Sequence, residues 1–165
     1  TVGTGPDACI LTIAAQTFDP LSVGYQKQDY YARVDVDSHP DREVDDSTVE
    51  WWATQPKEAQ DEAFGEEGRI PLKQALEELS KLCFHCKLTW ANGTTFDMVI
   101  LENAFKQLGL PIPWQFWNVR DARTVYSLYP DLPKPRASHH ALEDCRRQID
   151  LLQQTLKHLR VAGLK

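Results

Sequence analysis

Leu88-Thr89-Trp90-Ala91-Asn92-Gly93-Thr94-Thr95-Phe96-Asp97 is the stretch that decides the architecture. Leu88 and Trp90 alternate as in a short strand, which Asn92-Gly93 ends in a turn. Thr94 then caps a helix whose Phe96, Val99, Ile100, Ala104 and Leu108 form one apolar stripe, stopped by Gly109 and Pro111. A strand feeding a helix, late in the chain and with other helices around it, predicts an α/β layered domain. Asp97 falls in the first turn of that helix. The helix dipole favours an acid there without any function, but the carboxyl end of a strand in an open α/β sheet is also where ligands bind.

Upstream of this unit, Ala8 to Ala15 is almost continuously apolar and reads as a strand buried on both faces. Residues 29–36 alternate, with Ala32, Val34 and Val36 inward and Arg33 and Asp35 outward, as in an edge-like strand with one wet face. Ser47-Thr48-Val49-Glu50 reads as a capping box opening a helix that carries Trp51-Trp52. A second helix starts at Pro71, with Leu72, Ala75, Leu76, Leu79 and Leu82 at helical spacing. Downstream, 111–121 reads as irregular, Asp121 as the cap of a short helix from Arg123, and Pro130, Pro133 and Pro135 as a loop. In the last helix Leu142, Cys145, Ile149, Leu152, Leu156 and Leu159 recur at steps of three and four.

Composition narrows the class. The chain has 165 residues, 42% hydrophobic and 25% charged, with a net charge of −6. That length predicts one domain, and the apolar fraction excludes wholesale disorder. No apolar run approaches the ~18–20 residues of a membrane span and no signal peptide opens the chain, so the expectation is a cytoplasmic protein with no membrane partner. An acidic balance argues against coating nucleic acid by positive charge alone, yet leaves room for an enzyme that grips one strand end through bound cations. Cys83 and Cys86 read as buried thiols at a helix-to-strand junction. A structural zinc would need a second knuckle, and none exists in the sequence.

The candidate chemistry lies in three side chains. His139 and Asp144 are five residues apart, about 140° around a helix, so they converge only if His139 sits on the loop and Asp144 one turn inside the helix. Asp97 and Asp144 are hard oxygen ligands suited to Mg²⁺ or Mn²⁺. A neutral histidine suits deprotonation of a water near neutral pH. Two hard cations ~3.5–4 Å apart would stabilise both oxygens of a phosphodiester displacement, and such a site needs more carboxylates than these two.

These residues sit in motifs that resemble a known family. Thr1-Val2-Gly3-Thr4-Gly5-Pro6 is similar to the tail of the first motif, D-x-E-T-x-G, of DnaQ-like 3′–5′ exonucleases of the DEDDh type. Asn92 to Asp97 resembles their second motif, and His139-His140-Ala141-Leu142-Glu143-Asp144 their third, H-x-A-x-x-D. Trp51-Trp52 and the run Phe116 to Thr124 resemble the short phage and bacterial members of the ribonuclease T group. The likeness covers nearly the whole chain.

The resemblance implies an RNase H-like three-layer fold, a mixed central sheet flanked by helices, and 3′–5′ exonuclease activity on single-stranded DNA or RNA 3′ ends. It implies two Mg²⁺ or Mn²⁺ ions held by Asp97, Asp144 and an upstream Asp and Glu, with His139 as base and nucleoside 5′-monophosphates as products. Thr1 and Val2 would approach the terminal sugar, with Gly3 and Gly5 keeping that approach open, and Trp51 and Phe96 are candidate stacking surfaces. Relatives are often dimers, so a homodimer is an open expectation. The first motif's Asp and Glu would stand just before Thr1. The reading favours an N-terminally truncated chain lacking a central strand, whose loss would leave residues 8–17 with an unpaired buried edge. The alternative is a catalytically silent RNase H-like module that binds nucleic acid or protein.

Overall fold

A computed structural model describes residues 1–132 and 139–164. Pro133, Pro135 and Ser138 of the loop expected before the last helix lie outside the described residues. Strand β1 (Thr12–Gln16) pairs antiparallel with β2 (Asp29–Asp35), Ala14 opposite Tyr31. Between β2 and the later strands come helices α1 (Asp46–Ala53) and α2 (Lys57–Phe64), then β3 (Arg69–Pro71) and α3 (Leu72–Cys83). β3 pairs parallel with β2, so β2 is the middle of three strands and not the expected edge. β4 (Thr89–Ala91) pairs parallel with β5 (Val119–Asp121), which arises inside the segment expected to be irregular. α4 (Asp97–Gln107), α5 (Ala122–Tyr126) and α6 (Ala141–His158) complete a mixed α/β architecture of small sheets flanked by helices.

The expected strand over 8–15 forms a ladder only from Thr12. Burial nonetheless alternates through 8–11: Ala8 and Ile10 enter the main core with Val34, Leu76 and Phe105, while Cys9 and Leu11 enter a second cluster with Val2 and Trp52. Backbone groups here are satisfied one at a time. The Cys9 N–H donates to the Glu43 carbonyl at 2.7 Å, the Val2 N–H to Cys9 at 2.8 Å and the Val34 N–H to Leu11 at 2.8 Å. With three different partners and no continuous neighbour, the segment is buried without being a ladder.

Helix ends also differ from the pattern. Asp45 caps α1 by accepting from the Ser47 N–H at 2.8 Å, two residues before the box expected at Ser47. Pro71 is the N-cap of α3 and not its first helical residue. Thr94 does not cap α4; its N–H donates to Asp121 Oδ2 at 2.8 Å, while Phe96 takes the N-cap position. The buried face of α4 is Met98, Ile100, Ala104 and Phe105, and Val99 and Phe96 turn partly outward. Phe96 precedes the helix and so escapes its 100° period. Val36, expected inward, lies in a 3₁₀ turn and is exposed. Cys86 is exposed as well, whereas Cys83 is half-buried and burial pushes its thiol up to about 12.

β1 and β4 share no pairing among the described residues. Between them lies a cavity of about 800 Å³ walled by Ala14, Ala15 and Gln16 on one side and Thr89, Trp90 and Ala91 on the other, with Cys145 and Ile149 of α6 among its lining. α6 rests on β1 and packs on α5, closing a third cluster of Ala122, Tyr126, Leu152 and Leu156 against which Trp90 of β4 leans. No described helix is long and apolar enough to cross a membrane.

Candidate active site

Asp97 is placed by the turn that follows β4. Gly93 adopts φ of 106°, where a side chain would be strained and would meet the Arg123 guanidinium at 3.7 Å. The Phe96 and Asp97 N–H groups then donate back to the Gly93 carbonyl at 3.0 and 3.3 Å. Asp121 clamps this turn from β5 through Thr94 while capping α5, accepting the Thr124 N–H at 2.7 Å. Arg123 donates to the Asn92 carbonyl at 3.2 Å from the other side. Asp97 keeps one face open to solvent, but the surrounding protein pushes its pKa up to about 6. Burial is the main cause; Arg123 pulls it down and Asp121 pushes it up.

His139 and Asp144 meet in the way their spacing requires. His139 lies before α6 with φ of 61°, and its backbone N–H donates to Asp144 Oδ2 at 3.1 Å. Asp144, in the first turn of α6, also faces Arg147 at 3.5 Å. The His139 ring stands edge-on to Trp51 and Trp52, at 5.3 and 6.0 Å between centroids. Glu143 points to solvent and pairs with Arg147 at 3.6 Å.

A recess of about 320 Å³ draws the expected residues together. Thr1, Phe96, Asp97 and Asp144 all line it, beside Trp90 and Cys145. His139 joins through Asp144, and Trp51 through His139. Trp51 is 45% exposed, whereas Trp52 is 9% exposed and donates its indole N–H to the Thr1 carbonyl at 2.9 Å. Phe96 is 37% exposed. Val2 stands apart: it is 4% exposed, and both its backbone N–H and C=O are engaged, with Cys9 and Asp45. Gly3 owes its smallness to packing, since a Cβ there would come within 3.0 Å of the Ala8 Cβ. Among the described residues, no group of three or more His, Cys, Asp or Glu side chains is placed to hold a metal ion.

Three residues around the site escape sequence patterning. Arg123 braces the turn before Asp97. Arg42, 6% exposed, ties that helix to the N-terminal loop, donating to the Ala8 and Pro6 carbonyls and to Asn103 and Gln107 of α4. Glu62 of α2 accepts from Tyr31 and Arg33 and lies 3.8 Å from His140 Nε2. A polar residue in a loop or on a helix announces none of these roles; only the fold brings their partners within reach.

An α/β scaffold that sets two carboxylates on one recess, one of them holding the backbone of a histidine, belongs with the nucleases in chemical type. Comparison with known families is specific: the chain belongs to the family described as the 3′-5′ exoribonuclease Rv2179c-like domain, which it matches over residues 1–156. It is also similar to an exodeoxyribonuclease of Enterobacteria phage T4, with 23% identity over 96% of this chain and 86% of that protein.

Proposed function

We propose that this protein is a metal-dependent 3′–5′ exonuclease that removes nucleoside 5′-monophosphates one at a time from single-stranded 3′ ends, on an RNase H-like fold. The observation that carries the reading is the convergence of Asp97 and Asp144 on one recess, with Asp144 holding the backbone of His139. Family membership supports the same direction of attack.

The two carboxylates are hard oxygen donors of the kind a divalent cation takes. Asp97 pays for burial with a raised pKa and finds only partial compensation from neighbouring positive charge, which is the situation a bound cation relieves. Asp97 and Asp144 would hold Mg²⁺ or Mn²⁺. Bound there, the cations would neutralise charge on the scissile phosphate. The His139 imidazole would accept the proton of the attacking water as the new P–O bond forms. The bond from phosphorus to the 3′-oxygen of the penultimate nucleotide breaks, freeing the terminal 5′-monophosphate. Phe96 and Trp51 offer ring faces for the last bases, and Thr1 stands where the terminal sugar enters.

Matched single-stranded DNA and RNA, labelled at the 3′ or the 5′ end, test the proposal with Mg²⁺, Mn²⁺ and EDTA. Labelled mononucleotide released first from the 3′ end, and abolished by EDTA, is the expected result. Asp97→Ala and Asp144→Ala should each abolish release while remaining folded; undiminished rates in either would sink the assignment. Binding without turnover would instead mark a silent module.

A further inference from the structure

His139 holds a backbone conformation that its surroundings must sustain. Its φ of 61° lies in the left-handed region, which disfavours any residue bearing a Cβ. Among the described residues it makes one backbone hydrogen bond, to Asp144, and meets two indole edges. The next residue is fixed by a separate set of groups. The His140 ring stacks on Tyr31 at 5.2 Å with 25° between planes, and its Nε2 lies 3.8 Å from Glu62 Oε1. Glu62 reaches from α2 to accept the Tyr31 hydroxyl and the Arg33 guanidinium, the latter at 2.9 Å, both from β2. Burial works to raise the Glu62 pKa, and the Tyr31 and Arg33 bonds with the nearby His140 outweigh it, so Glu62 stays a carboxylate.

We infer that Glu62 is a positioning residue: with Tyr31 and Arg33 it forms a cradle for His140, and through His140 it keeps His139 left-handed and against Trp51. A left-handed residue is a two-sided constraint, because rotating its φ swings the chain on either side. Asp144 secures one side and the cradle the other. The catalytic consequence rests on the exonuclease reading; the structural part does not. The competing role for Glu62 is merely to pin α2 to β2.

Glu62→Ala, His140→Ala and the double variant separate the two. The first readout is the NMR cross-peak between the His139 ring and the Trp51 indole, which needs no activity. It should vanish in Glu62→Ala. The second is turnover, where kcat should fall about tenfold or more while KM stays within about twofold. Glu62→Gln, which still accepts from Tyr31, should restore most of kcat. The double variant should be no slower than Glu62→Ala, since both residues act along one path. A retained cross-peak with unchanged kcat, or losses that simply add, overturns the cradle. If Glu62→Ala does not fold, Tyr31→Phe decides on the same two readouts, with an unchanged cross-peak and kcat again overturning it. An inactive wild type would refute the exonuclease reading alone, because the cross-peak still judges the cradle.

Discussion

Replacing Arg42 by Met should cost about 2–3 kcal/mol of stability, a figure that follows from which of its partners can be rehydrated. The guanidinium donates to Gln107 Oε1 at 2.6 Å, the Ala8 carbonyl at 2.8 Å, the Pro6 carbonyl at 3.0 Å and Asn103 Oδ1 at 3.1 Å. Pro6 and Gln107 are exposed and would find water once the arginine is gone. Ala8 is fully buried, so its carbonyl would be orphaned, at about 1–3 kcal/mol. Asn103 is half-buried and adds a smaller loss. Against this, Met keeps the apolar stem and no longer buries a charge, which offsets part of the cost. Urea unfolding followed by circular dichroism measures the outcome as a lower midpoint with an unchanged slope. Arg42→Lys should be little better, because one ammonium cannot span the loop and the helix together. A loss below about 0.5 kcal/mol for the Met variant would refute the reasoning, since it would mean the loop does not depend on this bolt.

Asp97→Asn should stabilise the metal-free protein at neutral pH. Its pKa of about 6 against 3.8 in the open chain corresponds to about 3 kcal/mol, reduced to about 1 kcal/mol because one face of Asp97 meets solvent. The folded state binds the extra proton between pH 3.8 and about 6, so the wild type recovers that penalty on acidification, and the gap between the two melting curves should close across this window. A gap that stays constant over the window would show that burial of Asp97 is not the cause. Trp52→Ala should cost about 3–5 kcal/mol as a core deletion. Trp51→Ala should leave unfolding nearly untouched and raise KM about tenfold by removing a stacking face; equal effects of the two on stability would contradict their different burial. His139→Ala should lower kcat about a hundredfold or more, while His140→Ala should lower it about tenfold.

How much of this was legible depends on whether a feature is local. Leu72, Ala75, Leu76 and Leu79 are buried as their spacing requires, and Asp121 caps α5 as its position requires. Helix geometry set the condition under which His139 and Asp144 converge, and the loop position of His139 meets it. β3 and β5 are three residues each and have no period of their own, so only their neighbours define them. α2 carries just two buried alanines, too faint an apolar stripe to stand out. Thr94 has the chemistry of a cap, but Asp121, remote in sequence, claims its N–H. The same reason hid Glu62, Arg42 and Arg123: each draws its meaning from partners on other elements.

That the two sheets share no ladder among the described residues has a mechanical consequence. Within each sheet, backbone hydrogen bonds fix the strands against sliding; between the sheets the described residues share side-chain packing and no ladder. Asp97 opens α4 just beyond β4, whereas Asp144 rides on α6, which leans on β1. Among the described residues the separation of the two carboxylates is therefore set by how α6 packs and not by a ladder. Any ligand that grips both acids would stiffen it, and slower amide exchange in β1 and β4 together would register that clamp.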